Sequence, residues 1–296
     1  MNPPLQTIAS DRLTVAVSPD GAQMVSLKVD GREWLWRADP TWWPSSAPIL
    51  FPIVGGLNGD AYRVDGHTYA LPRHGFARRS LFALTEATAD RAAFRLQADA
   101  ATRAVYPFDF RLDLAFQVSG ARLDITATLS NRGAAPLPAS FGFHPAFNWP
   151  LEPEGDKRSC RIVFDAPEPE PIRRLTLAGL IQAQTLPTPV EGRVLALRDE
   201  LFDHDALIFD QPTSRGLVYG APGGPGLRLT FPDMPQLGVW TKPGAPFICI
   251  EPWQGMADPV GFTGDLRDKP GVIEVAAGAQ RVFAMSLAVV DIPPDR

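Results

Sequence analysis

Residues 111–129, Arg111-Leu112-Asp113-Leu114-Ala115-Phe116-Gln117-Val118-Ser119-Gly120-Ala121-Arg122-Leu123-Asp124-Ile125-Thr126-Ala127-Thr128-Leu129, decide the fold class. Apolar side chains stand at 112, 114, 116 and 118, and again at 123, 125, 127 and 129, with mostly polar neighbours between. A period of two is that of a strand with one face in a core. Ser119-Gly120 interrupts it where a turn would join two such strands. Working outward, Val25, Leu27 and Val29 lead into Asp30-Gly31 and then Trp34-Leu35-Trp36. Tyr62-Arg63-Val64 and Thr68-Tyr69-Ala70-Leu71 flank Asp65-Gly66, a hairpin signal. Phe283, Met285, Leu287 and Val289 alternate again near the end. Long helical periodicity is absent, and the 31 prolines and 25 glycines suit many turns and few helices. The pattern predicts an all-β protein, a β-sandwich. The 296 residues are ample for two domains, since a domain averages about 150 residues, but all-β units often run to about 200–250 residues as one. The Pro/Glu-rich residues 151–170 read as an excursion rather than a linker, so residues 1–296 are expected to form a single domain.

Composition removes several function classes. The formal net charge is −5 and no basic run longer than a pair stands out, which argues against a nucleic-acid partner. Cys160 and Cys249 are far apart, and there is no CxxC. Cys249, inside Phe247-Ile248-Cys249-Ile250, reads as a small buried hydrophobe, and a reducing compartment such as the cytoplasm fits. Residues 1–6 lack the charged and apolar regions of a signal peptide. Residues 40–59 carry no charge, yet Pro40, Pro44, Pro48, Pro52, Gly55, Gly56 and Gly59 break them too often for a membrane helix. They are expected to form buried loop and short strand, with no membrane association.

Four histidines are present. His67 follows the Asp65-Gly66 turn and His204 sits in Asp203-His204-Asp205; both read as solvated loop residues. His74 lies in Pro72-Arg73-His74-Gly75-Phe76-Ala77-Arg78-Arg79, where Pro72 and Gly75 disfavour a strand, so it belongs on a loop held by strands. His144 ends Phe141-Gly142-Phe143-His144-Pro145. If that segment is extended, Phe141 and Phe143 share one face and Gly142 and His144 the other, with Gly142 leaving space beside the imidazole. Glu251 follows an apolar run and precedes Pro252-Trp253. Desolvation there would raise its pKa towards that of a general base working near neutrality. The plainer readings are structural histidines and a hydrogen-bonded Glu at a sheet rim. A zinc site of His74, His144 and Glu251 is a third, without HxH or HExxH spacing to support it.

Four strings in order carry a resemblance: Ala47-Pro48-Ile49-Leu50-Phe51-Pro52-Ile53-Val54-Gly55, His74-Gly75-Phe76-Ala77-Arg78, Phe143-His144-Pro145-Ala146-Phe147 and Phe247-Ile248-Cys249-Ile250-Glu251-Pro252-Trp253. Together they resemble the aldose 1-epimerase (mutarotase) family, in its bacterial mutarotase-like branch, over residues 34–253 at least. The resemblance implies a large antiparallel β-sandwich, the galactose-mutarotase-like fold, with a site on a concave sheet face, a small sugar substrate, and no cofactor or metal. Residue by residue it implies Glu251 as general base, His144 as general acid and His74 as the second histidine, holding and polarising the sugar. Asp205 corresponds to a substrate-binding acid, with Asp203 its rival, and Arg78 and Trp253 match further motif positions. Two departures stand out. Relatives commonly carry Arg where this chain has Gly56, and a basic residue near Ser45-Ser46. Their loss favours a neutral aldose over a sugar 6-phosphate, because phosphate is usually held by Arg or Lys. The cluster Arg73, Arg78 and Arg79 keeps the phosphate reading open, although Arg73 and Arg79 read more simply as solvated. A carbohydrate-binding protein without turnover is the rival of a different class.

Overall fold

The computed structural model describes residues 4–294; residues 1–3, within the segment judged to lack a leader, lie outside them. The decisive hairpin forms as the alternation predicts. Phe110–Ser119 pairs antiparallel with Arg122–Asn131, placing Leu112 opposite Leu129, Phe116 opposite Ile125 and Val118 opposite Leu123. All six of those side chains are buried. The intervening Arg111 and Asp113 form an ion pair on the other face.

This hairpin sits within a nine-stranded antiparallel sheet ordered Val194–Ala196, Arg161–Phe164, Gly216–Gly220, Pro225–Thr230, Gln280–Asp291, Arg122–Asn131, Phe110–Ser119, Arg91–Gln97, Ala83–Ala87. A second sheet runs Ile181–Leu186, Ile172–Leu175, Leu207–Phe209, Gln236–Trp240, Phe247–Gln254, Phe141–Phe143, Ile49–Leu50, with Ala146–Asn148 also paired to Phe247–Gln254. Aromatic rings bridge the two. Phe141 stacks on Phe283 at 4.7 Å, and Phe164 meets Phe209 at 5.5 Å. Burying each such ring contributes about 1.5–3 kcal/mol. The one α-helix among the described residues is the short Ala100–Val105, opened by Asp99, whose carboxylate accepts from Thr102 N–H. No helix among them is long and apolar enough to cross a membrane.

Residues 46–54 are buried and contribute the strand Ile49–Leu50, as their charge-free sequence implies. The Asp65-Gly66 hairpin also forms, both turn residues taking positive φ (50° and 78°), the conformation a two-residue hairpin turn requires. Residues 151–170 are less of an excursion than their composition suggests. Arg161–Phe164 joins the nine-stranded sheet, and buried Glu168 accepts from the backbone N–H groups of Thr213 and Ser214, each at 2.8 Å.

Phe247–Gln254 is buried along its whole length and carries the two faces of the second sheet apart. Ile248 and Ile250 enter the main core between the sheets. Cys249, Glu251 and Trp253, of opposite parity, project to the other face.

Candidate active site

On that other face lies a cavity of about 200 Å³. Glu251, His144, His74, Asp205, Arg78 and Trp253 all line it. They arrive from four separate stretches of chain. Glu251 and Trp253 come from the Phe247–Gln254 strand, and His144 from just beyond Phe141–Phe143. His74 and Arg78 come from the segment beside the short turn Ala77–Arg79, and Asp205 from the loop before Leu207–Phe209. Asp203, its rival, is exposed and does not line this cavity.

His144 Nε2 and Glu251 Oε2 are 3.0 Å apart, and both side chains are almost fully buried. Burial raises the Glu251 carboxyl well above the usual carboxylate range, and Asp205 adds to the rise. The Trp253 indole N–H and the Arg78 guanidinium act against it. Burial, with Arg78 adding to it, pushes the His144 imidazole down to about 3. Both shifts favour the uncharged pair, Glu251 protonated and His144 neutral, sharing one proton across the 3.0 Å contact. The His144 ring is clamped by Trp43, stacked at 5.0 Å, and faces the His74 ring edge-on at 5.7 Å.

His74 is held in a left-handed conformation (φ 67°), uncommon for a side chain with a Cβ. The reason is a reciprocal pair of bonds with Gly55. His74 N–H donates to Gly55 O at 2.9 Å, and Gly55 N–H donates to His74 Nδ1 at 3.1 Å. An Nδ1 that accepts is unprotonated, so the neutral ring carries its proton on Nε2. Burial and the neighbouring His144 lower its pKa well below the ordinary value, which keeps it neutral. His74 is therefore a fixed hydrogen-bond donor. Asp205 is the second left-handed site residue (φ 67°), braced by its own carboxylate accepting from Ala206 N–H at 2.7 Å.

Trp253 forms a wall because its neighbours lack side chains. A Cβ at Gly238 would lie 2.4 Å from the indole, and one at Gly142 would lie 2.7 Å from it. The expectation that Gly142 opens space beside His144 is thus corrected. That space is filled by Trp253 and by Leu50. Phe141 and Phe143 do enter the main core, as the alternation predicts.

Arg78 donates to Ser45 Oγ at 3.1 Å, so the neutral stretch where relatives often carry a basic residue instead orients an arginine from another segment. Of the other two arginines in the cluster, Arg79 is exposed and does not line the cavity. Arg73 is exposed as well, as expected, yet it also lines the cavity, passing Gly56 and Gly179.

A metal would find a different donor set from the one the sequence brings to mind. His144, Cys249 and Glu251 place donor atoms within 4.8 Å of one another, and His74 is not among them. Burial raises the Cys249 thiol as well as the Glu251 carboxyl, so a metal would have to displace a proton from each to bind there.

The family model described as aldose 1-epimerase matches residues 4–262. The chain belongs to the aldose 1-epimerase family. The chromosomal protein LacX of Lactococcus lactis subsp. lactis is 34% identical over 289 residues, covering 90% of this chain and 93% of LacX. A galactose mutarotase related enzyme from Lactobacillus acidophilus superposes with a TM-score of 0.89 at 29% identity, covering 98% of each chain. A galactose mutarotase-like protein from Lactobacillus casei gives 0.90 at 28% identity, covering 97% of this chain and all (100%) of that one. The expected family and all-β antiparallel fold are therefore both present.

Within this aldose epimerase family member, sequence reasoning missed Trp43, Trp240 and Gly55 at the cavity. Trp42-Trp43 in a charge-free stretch was the available signal for the first. Trp240 had only a strand pattern around it. Gly55 acts through its backbone, which no residue-type pattern reveals.

Proposed function

We propose that this protein is an aldose 1-epimerase that interconverts the α and β anomers of a free aldose by acid–base ring opening and closure. The observation that carries this reading is the 3.0 Å contact between His144 Nε2 and Glu251 Oε2 at the cavity wall. The anomeric oxygen and the ring oxygen of a pyranose are both bonded to C1. A base serving one and an acid serving the other must therefore be close neighbours.

In this mechanism the sugar inserts between the two groups. Glu251 takes the proton of the anomeric hydroxyl and His144 donates one to the ring oxygen. The C1–O bond of the ring breaks and a free aldehyde forms. Rotation about C1–C2 presents the other carbonyl face, and closure with reversed roles gives the other anomer. One proton on the pair suffices for the cycle. Burial leaves it on Glu251, so substrate hydroxyls must draw it to His144; Arg78, which favours the Glu251 carboxylate, assists the first half of that shift. His74 donates its Nε2 proton to a sugar oxygen, and Asp205 accepts from sugar hydroxyls. The chemistry is proton transfer by side chains. Each acid–base group contributes about 10²–10⁴-fold.

The cavity volume of about 200 Å³ supports a single sugar ring, since pockets for drug-sized ligands run to about 300–1,000 Å³. A hexose-6-phosphate is the second reading, favoured by Arg73, which lines the cavity and makes no ion pair among the described residues. Polarimetry of freshly dissolved α-glucose, α-galactose and glucose 6-phosphate tests both. Turnover of the neutral sugars supports the leading reading. A preference of about tenfold or more for the phosphate in kcat/KM moves the assignment to the second. No turnover of any of the three removes the enzyme reading in favour of a sugar-binding protein.

A further inference from the structure

A buried imidazole that must take up a proton needs a group that steadies the cation. Around His144 the polar neighbours supply little help. The Arg78 guanidinium works against a further positive charge, and His74 presents a neutral ring edge-on at 5.7 Å. None of the described residues accepts a hydrogen bond from His144 Nδ1, the position where a carboxylate or carbonyl often orients a proton-carrying histidine. Glu251 faces Nε2 at 3.0 Å, and the nearby Cys249 thiol is kept protonated by burial.

What covers the ring is aromatic. Trp43 lies over its face, with centroids 5.0 Å apart and planes at 23°, and Trp240 meets it nearly perpendicular at 6.3 Å. The face of an indole carries negative electrostatic potential and attracts a cation within about 6 Å of the ring centre, more strongly than tyrosine or phenylalanine does. The attraction acts on charge, so imidazolium gains more from this contact than neutral imidazole.

The stack is held from several sides. Trp43 N–H donates to Asp39 O at 2.9 Å, and Trp43 O accepts from the Trp36 indole N–H at 2.9 Å. Phe247 stacks on Trp43 at 5.7 Å. Further along the same loop, Gln23 Oε1 accepts from the N–H groups of Ser46 and Ala47 at 3.0 and 3.1 Å. Trp43 therefore stands where it is needed before substrate arrives.

We propose that Trp43 is a positioning residue for the epimerase reaction, holding the His144 imidazole flat against its indole face and stabilising the imidazolium that forms when the shared proton passes from Glu251 to His144. This rests on the epimerase reading above. No bond forms or breaks at Trp43. It acts through His144, by lowering the energy of the proton shift on which ring opening depends.

The test changes the ring at position 43 and follows, by polarimetry, whichever of α-glucose, α-galactose and glucose 6-phosphate is turned over fastest. Trp43→Phe keeps a weaker aromatic face, and Trp43→Leu keeps apolar bulk without one. In Trp43→Leu kcat is expected to fall by about tenfold, and in Trp43→Phe by less, with KM within about twofold of wild type in both. The decisive series places 5-fluoro-, 5,7-difluoro- and 5,6,7-trifluorotryptophan at position 43 alone by stop-codon suppression. Fluorine drains electron density from the face and nearly preserves its shape, so kcat should decline stepwise along the series. Circular dichroism checks that each protein is folded. A flat fluorine series overturns the proposal whatever the leucine variant does, because a steric prop needs only shape. A loss confined to KM also overturns it and makes Trp43 a platform for the sugar. Absence of wild-type turnover with all three sugars overturns the epimerase reading instead, and with it this role.

Discussion

His144 Nε2 lies 3.0 Å from Glu251 Oε2, across two segments of chain more than a hundred residues apart in sequence. Burial pushes the two pKa values in opposite directions, raising the Glu251 carboxyl and lowering the His144 imidazole. The pair is thereby poised to hold one proton over a wide pH range. Loss of that proton at high pH, or gain of a second at low pH, would stop a cycle that needs one.

Glu251→Gln should leave the fold intact and lower anomer interconversion by about 10²–10⁴-fold. The amide still donates to neutral His144 as the protonated carboxyl does, but it cannot accept the anomeric proton. Polarimetric rates alongside circular dichroism check this, and near-wild-type turnover would remove Glu251 as the base.

The same substitution should change how stability depends on pH. The folded Glu251 carboxyl has a raised pKa, so its stabilising share is present below its unfolded value and is lost as pH rises through the folded one. Replacing it with Gln removes a group that resists ionisation. The variant should therefore gain melting temperature relative to wild type at pH 8 and not at pH 4.

Acid should destabilise the protein through its two cavity histidines. His144 is pushed down to about 3 from the ordinary 6.5, and His74 is also well below that value. A depressed imidazole contributes fully above its unfolded pKa. As pH falls from about 6.5 towards 3, the unfolded chain takes up protons that the folded one refuses, and stability declines. Urea midpoints measured between pH 7 and pH 4 should fall less steeply in His144→Gln than in wild type; an unchanged slope would show that His144 titrates normally.

His144→Ala should reduce kcat more than His74→Ala does, with the latter raising KM. His74 is locked by Gly55 as a donor of its Nε2 proton, a role in holding the sugar, whereas His144 contacts Glu251 directly. Rates over a range of sugar concentrations separate the two, and a larger kcat loss in His74→Ala would reverse the assignment.

Gly238→Val should cost about 1–3 kcal/mol by overpacking, because a Cβ there meets the Trp253 indole at 2.4 Å. The displaced ring would narrow the cavity, so activity should fall along with thermal stability. Retention of both would mean that Trp253 has room to move.

Much of the architecture was legible one strand at a time. The alternation from Leu112 to Leu129 fixes which side chains face the core, because a strand's period of two allows no other choice. Asp65-Gly66 specified its turn, and the prolines and glycines of residues 40–59 excluded a membrane helix. Candidate site residues were legible too. His74 stood out by its flanking Pro72 and Gly75, and Glu251 by an apolar run that leads to a carboxylate. What local sequence could not supply was the relation between them. The 3.0 Å contact of His144 with Glu251, the brace from Ser45 to Arg78, and the presence of Asp205 rather than Asp203 at the cavity wall all depend on how distant segments pack together. The space expected beside Gly142 was filled by Trp253, a residue over a hundred positions away. Burial, and with it each pKa shift, is a property of the packed cavity rather than of any segment. The sequence by itself determined the periodicity, the turns and the residue chemistry, which are local. The tertiary structure alone decided proximity, tautomer and protonation, because those depend on long-range contacts and on the exclusion of water.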